Sequence, residues 1–181
     1  VQEINKFSDI PAKIIETPSK AGKRFDEQFE NCKIYVLNYE TLKNEKVYDK
    51  LREHNVCGII MDEMQYVNNH KAKRSKATYM FNDLDLKIGL TATPITNNPL
   101  NLYGIFNMID PTVFTSYSKF SSRYIIWKFK RPVKAKNVDE MLDKVRPYIF
   151  KKDESDIIGQ LPELNVLPPI MCSMTENMRE I

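Results

Sequence analysis

Two adjacent carboxylates follow a continuous apolar segment of the chain. Residues Cys57–Met61 read CGIIM, and Asp62 and Glu63 come next. Such a run is typical of a strand buried in a parallel sheet, where ligand sites lie at the carboxyl ends of the strands. Mg²⁺ prefers carboxylate and water oxygens beside substrate phosphates, and a second carboxylate can orient and deprotonate a water molecule. The pair indicates metal-assisted phosphate chemistry, although a strand that simply ends in two carboxylates gives the same pattern.

A second polar motif stands where the next predicted strand ends. Residues Leu90–Pro94 read LTATP, with Thr91 and Thr93 on either side of the small Ala92. Two hydroxyls at this spacing can hydrogen-bond neighbouring carboxylates and respond to the state of a phosphate. The interval between Asp62 and Thr91 suits one strand–helix–strand crossover, which would bring both motifs to the same sheet edge. The two motifs together are more specific than either one, which alone could be an ordinary strand exit.

The elements that must position these motifs alternate along the first part of the chain. Short apolar or β-branched runs predict strands at Lys13–Thr17, Lys33–Asn38, Cys57–Met61 and Leu86–Leu90, with amphipathic or polar segments between them. This order predicts an α/β fold, a parallel sheet with helices on both faces. Beyond it, the spacing of apolar residues predicts helices at Pro99–Met108, Ser116–Tyr124 and Val138–Val145. Leu161–Pro169 contains three prolines and is interpreted as a linker.

The two motifs and their flanking residues resemble the Swi/Snf-type ATPases of helicase superfamily two. The segment IIMDEMQYVNN is similar to the family's DExH or DExQ box, and LTATPITNNPLNLYGIFNMIDPTVF to its LTATP box with the Asn-Asn extension. Upstream, IYVLNYETL resembles the segment that precedes the box. Downstream, RPYIFKKDESDIIGQLP resembles the family's basic segment, with Lys151 and Lys152 as the basic pair. The similarity covers nearly the whole chain.

The resemblance implies a RecA-like motor lobe that uses ATP and Mg²⁺ and moves on double-stranded DNA. Asp62 is expected to hold Mg²⁺ through its water shell, and Glu63 to activate the attacking water. Gln65 would join Thr91, Ala92 and Thr93 in coupling the nucleotide state to movement. Gln65 stands where the family usually has His, and a glutamine can hydrogen-bond but cannot titrate. The DNA contacts implied or inferred are Asn97, Asn98, Lys128, Lys130, Arg131, Lys151 and Lys152.

The chain contains no phosphate-binding loop of the form G-x-x-x-x-G-K-[ST]. Its one Gly-Lys pair, Gly22-Lys23, is followed by Arg24 and lacks the first glycine. We therefore expect a fragment whose loop lies upstream and whose arginine fingers come from a second RecA-like lobe, so that the isolated chain is inactive. The predicted parts are a partial ATPase lobe (1–110), a mostly helical basic extension and crossover (111–160), and a linker with the start of the second lobe (161–181).

Basic and aromatic residues concentrate in one part of the predicted extension. Between Pro111 and Val138 there is no acidic residue, and aromatic side chains alternate with seven basic ones: Lys119, Arg123, Lys128, Lys130, Arg131, Lys134 and Lys136. This composition suits contact with a phosphate backbone. A solvated basic face with its aromatic residues packed inward is the alternative interpretation.

Composition narrows the functional classes that remain. The net charge of +3 does not by itself demand a nucleic-acid partner, and the long uncharged stretch Ile88–Ile109 is too polar for a membrane span. Three separated cysteines fit a reducing compartment. Frequent Lys, Asn and Ile suggest a microbial or phage origin, and we expect the protein to be cytoplasmic or nucleoid-associated. The alternatives to a duplex translocase are a strand-separating helicase and a degenerate, non-hydrolysing DNA-binding or interaction module. A stand-alone metal-dependent phosphatase or nuclease would need more carboxylates near the site.

Overall fold

The computed structural model describes residues 1–93 and 99–151. Asn97, Asn98, Lys152 and the linker predicted at 161–181 lie outside the described residues. The chain divides into a compact unit, Val1–Pro147, and a second unit, Tyr148–Ile181, of which only the first four residues are described. Within the described ranges, no helix combines the length and apolar character that crossing a membrane requires.

The first part of the larger unit alternates helices and strands, as the sequence predicts. The helices are α1 (Gln2–Phe7), α2 (Pro18–Ala21), α3 (Glu45–Glu53), α4 (Lys73–Tyr79) and α5 (Leu100–Ile109), and the strands are β1 (Ala12–Ile14), β2 (Ile34–Val36), β3 (Gly58–Met61) and β4 (Leu86–Gly89). Short 3₁₀ turns cover Gly22–Arg24, Asp26–Phe29, Thr41–Lys43 and Met64–Val67. β1 pairs with β2, and β3 with β4, both in parallel. The charged segment between β1 and β2 thus contains α2 and two of these 3₁₀ turns.

The β3–β4 pair is covered on one face by the described residues. Residues alternate between the two faces of a strand, and Met61 is buried beside the Met64 turn. The opposite face carries Ile60, Leu86, Ile88 and Leu90, which are 40–66% exposed. The continuous apolar runs predicted burial of both faces, and the described part of the chain supplies a cover for only one.

Close packing fixes the turn that follows β3. A Cβ added to Gly89 would lie 2.0 Å from the Met64 sulfur, and one added to Gly104 in α5 would lie 2.1 Å from the Asn68 carbonyl oxygen. Gly104 therefore requires glycine because the neighbouring backbone comes too near for a side chain, whereas a side chain at position 89 would displace the Met64 side chain. The Tyr79 hydroxyl in α4 lies within hydrogen-bonding distance of the Val67 and Gly104 carbonyl oxygens, at 3.2 and 3.0 Å.

The last part of the larger unit combines two helices with a β-hairpin. α6 (Tyr117–Tyr124) runs into β5 (Ile125–Lys128), which pairs antiparallel with β6 (Arg131–Ala135), and α7 (Val138–Val145) follows. A 3₁₀ turn, Arg146–Tyr148, ends the described elements. The bounds of α6 and α7 agree with the predicted helices within one residue. The sequence pattern predicts no strand or helix between them, whereas the structure forms the β5–β6 hairpin there.

Candidate active site and basic hairpin

The carboxyl ends of β3 and β4 bring the two polar motifs side by side. The strands are parallel neighbours, with Met61 opposite Gly89. Beyond the strands the backbones remain bonded, because the Leu90 N–H donates to the Met61 carbonyl and the Met64 N–H donates to the Leu90 carbonyl, each at 2.8 Å. The residues after Met61 and those after Leu90 therefore leave the sheet at the same edge, as the crossover spacing predicts.

A chain of hydrogen bonds connects the predicted site residues across this edge. The Gln65 amide nitrogen donates to a Glu63 carboxylate oxygen at 2.6 Å, and the Thr91 hydroxyl donates to the Gln65 amide oxygen at 2.6 Å. The Thr93 N–H then donates to the Thr91 hydroxyl at 3.1 Å. The amide orientation is chemically consistent because a carboxylate only accepts, whereas a hydroxyl both donates and accepts. Ala92 is exposed between the two threonines and has no polar side-chain group.

The Asp62–Glu63 turn has an unusual backbone conformation. Glu63 adopts the left-handed region, with φ 48° and ψ 51°, which costs a residue with a side chain about 1 kcal/mol or more. An Asp62 carboxylate oxygen accepts the Glu63 N–H at 2.9 Å, and both side chains are exposed. The conformation turns the chain sharply at the strand end and leaves two carboxylates at the surface.

Tyr39 supports this turn from the neighbouring segment after β2. Its hydroxyl donates to the Asp62 carbonyl oxygen at 2.8 Å. Burial, with the negative charges of Asp62 and Glu63, raises the pKa of Tyr39 to about 12, so the hydroxyl keeps its proton at neutral pH. Its ring lies 6.1 Å from that of Tyr66, which is faced by the Arg74 guanidinium at 5.6 Å. Tyr39 was not predicted as a site residue, although it belongs to the upstream IYVLNYETL segment.

The carboxylates suit a divalent cation that is held largely by its substrate. Among the described residues, no group of three or more His, Cys, Asp or Glu side chains converges as an all-protein metal site. Mg²⁺ is usually bound by one or two carboxylates together with water and substrate phosphates. Asp62, exposed at the strand end, fits that requirement.

The predicted DNA-contacting residues of the extension meet at the tip of the β5–β6 hairpin. Lys128 pairs with Arg131, and Phe129 and Lys130 form the two-residue turn, with φ of 49° and 61°. All four residues are exposed. In the described ranges, no ion pair involves Lys128, Lys130 or Arg131, whereas Arg123 in α6 binds Glu140 at 3.0 Å. The hairpin tip is therefore a local concentration of uncompensated positive charge.

The structure does not test the remaining predicted DNA contacts. Lys151 is exposed at the end of the described residues, in the second unit. Asn97, Asn98 and Lys152 fall on residues that are not described. Their assignment stays a prediction.

Comparison with known proteins agrees with this fold. The structure is similar to the Sulfolobus solfataricus SWI2/SNF2 ATPase core in complex with double-stranded DNA, with a TM-score of 0.65 and 25% identity over 89% of this chain and 33% of that one. The fold is therefore that of a RecA-like ATPase lobe, as predicted. The model of the SNF2-related domain matches residues 1–181, and the chain belongs to this family.

Two curated proteins with similar sequences are named as ATP-dependent helicases. An uncharacterized ATP-dependent helicase of Mycoplasma pneumoniae is 25% identical over 162 residues, which are 88% of this chain and 15% of that protein. The ATP-dependent DNA helicase DDM1 of Arabidopsis thaliana is 28% identical over 154 residues, which are 80% of this chain and 19% of that protein. The chain thus spans less than a fifth of the length of either relative.

Proposed function

We propose that this chain is part of an ATP-driven motor that moves on double-stranded DNA. The hydrogen-bond chain from Glu63 through Gln65 to Thr91 carries the proposal. It joins the Glu63 carboxylate, which follows β3, to the Thr91 hydroxyl, which follows β4. A change in the hydrogen bonds of the carboxylate would therefore alter those of the segment after β4.

The two carboxylates have different roles in the proposed reaction. Asp62 would hold Mg²⁺ through bound water, and the ion would neutralise charge on the nucleotide phosphates. Glu63 would orient the attacking water and accept its proton, a task for which an exposed, positioned carboxylate is suited. The hydrogen bond from Gln65 leaves one Glu63 oxygen available for that water.

Gln65, Thr91 and Thr93 would transmit the state of the nucleotide. A phosphate or water bound at Glu63 would change the hydrogen bond that this carboxylate accepts from Gln65. Thr91 is bonded both to Gln65 and to the Thr93 backbone, so a movement of the Gln65 side chain would reach the backbone after β4. Thr93 immediately precedes the 94–98 segment, which contains the predicted DNA contacts Asn97 and Asn98.

The cationic hairpin tip would contribute sequence-independent contacts with the phosphate backbone. Lys128, Lys130 and Arg131 are exposed and lack acidic partners in the described structure, which is the arrangement that binding to phosphates requires. Each phosphate contact releases condensed counterions, so binding should weaken steeply with added salt. Lys151 and Lys152 are proposed as further contacts.

Turnover measurements on the complete protein that contains this chain test the proposal. Glu63→Gln should lower DNA-stimulated ATP hydrolysis by roughly 10²- to 10⁴-fold, the usual contribution of a general base, while nucleotide binding stays close to wild type. Asp62→Asn should instead weaken Mg²⁺-dependent nucleotide binding. Glu16→Gln, which removes another exposed carboxylate, is the matched control and should change neither.

Two results would contradict the proposal. Unchanged hydrolysis in Glu63→Gln would remove Glu63 from the reaction. A wild-type protein that binds DNA but neither binds nor hydrolyses ATP would identify the chain as a non-hydrolysing DNA-binding module instead.

A further inference from the structure

Phe129 occupies the apex of the β5–β6 hairpin with almost its whole side chain in solvent. It is 89% exposed, and the Lys128 ammonium lies 5.7 Å from its ring centre. Val133 and Trp127 on the same hairpin are 59% and 42% exposed. Contact with phosphates accounts for the basic residues of the turn, but it does not account for an exposed aromatic ring among them.

The turn itself does not require an aromatic residue. Phe129 and Lys130 both have positive φ, the conformation for which two-residue hairpin turns favour Asn-Gly. A bulky side chain is disfavoured there, so the same turn would form more easily without the ring. The backbone conformation of the turn therefore does not account for the ring at this position.

The base of the hairpin is firmly attached to the larger unit. Ile125 and Tyr124 are 2% and 4% exposed, and the Lys136 N–H donates to the Tyr124 carbonyl at 2.8 Å. The Trp127 indole N–H donates to the Ser121 hydroxyl of α6 at 2.9 Å. A tip that projects from an anchored base presents its side chains at a defined position instead of sampling many.

We propose that Phe129 stacks on the exposed face of a base pair where a DNA duplex ends or forks. Base faces are hidden inside a continuous duplex and become accessible at a junction, while the flanking phosphates can bind Lys128, Lys130 and Arg131. Aromatic rings on proteins stack on accessible bases. This role rests on the proposed function of the hairpin as a DNA contact, and it adds a preference for junctions over uninterrupted duplex.

DNA binding at the hairpin can be measured through the fluorescence of Trp127, because it is the only tryptophan in the 181 residues. Its fluorescence in this chain can be followed during titration with a forked duplex, a covalently closed duplex circle of matched sequence and the single strand of the fork. The wild-type chain should bind the fork more tightly than the circle. Phe129→Ala should weaken fork binding by about 5- to 100-fold, the range for one stacked base, and leave the circle unchanged.

Matched variants separate stacking from general hydrophobic contact. Phe7→Ala removes a phenylalanine that is 86% exposed in α1, so it should change neither affinity. Phe129→Tyr retains an aromatic face and should keep the fork preference, whereas Phe129→Leu should lose it. Because Phe129 is almost fully exposed, these variants should fold normally, and circular dichroism verifies this.

Several outcomes would overturn the assignment. Equal wild-type affinity for fork and circle, equal weakening of both by Phe129→Ala, or a fork bound no more tightly than its single strand would each exclude a junction contact through Phe129. The titrations contain no ATP, so they are independent of the Glu63 turnover test. Lys128, Lys130 and Arg131 replaced together by Ala should weaken fork and circle alike, which distinguishes loss of the phosphate contacts from loss of stacking.

Discussion

The edge of the β3–β4 pair and the tip of the β5–β6 hairpin both carry polar groups, but the two regions are organised in opposite ways. At the strand edge, Glu63, Gln65 and Thr91 satisfy one another, and Tyr39 supports the turn from outside. At the hairpin tip, Lys128, Lys130 and Arg131 have no ion-pair partner among the described residues. Side chains that are fixed in advance suit a reaction, whereas unpartnered charges suit binding to a separate molecule.

The largest expected effect comes from disturbing the support of the strand-edge turn. Gly104→Ala should lower the free energy of unfolding by about 3 kcal/mol, because the new Cβ would lie 2.1 Å from the Asn68 backbone oxygen. Urea unfolding measures this loss. Gly22→Ala is the comparison for backbone strain alone, since Gly22 has φ +58° but no atom within 4 Å of the added Cβ, and it should cost about 1–3 kcal/mol. A loss below about 1 kcal/mol in Gly104→Ala would mean that close packing against the turn contributes nothing.

Removing the hairpin cations should alter binding and leave the fold intact. Replacement of Lys128, Lys130 and Arg131 by Ala should flatten the slope of log K against log salt by up to about 3, since each phosphate contact contributes roughly 0.9. The free energy of unfolding should change by less than about 0.5 kcal/mol per exposed site. Anisotropy of labelled duplex at several salt concentrations measures the slope. A charge-matched variant with Lys20, Lys23 and Arg24 replaced, all exposed, should keep the wild-type slope.

A smaller effect is expected from cutting the hydrogen-bond chain at its centre. Thr91→Val keeps the shape but removes the hydroxyl that joins Gln65 to the Thr93 backbone. Loss of about 0.5–1.5 kcal/mol should slow ATP turnover of the complete protein roughly 2- to 10-fold, with little change in nucleotide binding. Steady-state kinetics of Thr91→Val and of Thr115→Val, the same change at an exposed threonine, make the comparison. Identical kinetics in both variants would exclude a coupling role for Thr91.

The smallest effect concerns Tyr39 and depends on pH. Tyr39→Phe should cost about 1 kcal/mol of unfolding free energy near neutral pH, because it removes the hydrogen bond to Asp62. The folded pKa, about 12, lies above the ordinary value of 10.0, so the native state holds the proton more tightly. The stabilisation by Tyr39 is complete below pH 10 and is lost as pH rises toward 12. The gap between wild type and variant should narrow in that window, while a constant gap would contradict the assignment.

The sequence predicts the strand-edge site better than the hairpin, for physical reasons. Apolar runs followed by paired carboxylates and threonines, one crossover apart, predict neighbouring parallel strands, and β3 and β4 are such neighbours. The regular apolar spacing of α6 and α7 likewise predicts their bounds. The β5–β6 turn lacks Asn-Gly, and Phe129 and Lys130 adopt left-handed conformations that their residue types do not favour. Its signal is therefore absent from the sequence.

Two further features depend on contacts between distant segments. The hydrogen bond from Tyr39 to the Asp62 backbone joins positions that periodicity cannot relate. The exposed face with Ile60 and Ile88 also differs from the predicted burial, because an apolar run does not state how many faces other elements cover. Residue types thus predict which groups are available, whereas their surroundings arise from packing.

The Tyr79 hydroxyl has a mechanical consequence. It lies between carbonyl oxygens of the turn after the carboxylates and of α5, at 3.2 and 3.0 Å, and Gly104 lets these backbones touch. The two backbones are in direct contact at this point, with no flexible side chain between them. A displacement of the turn would therefore be transmitted to α5 with little loss of amplitude.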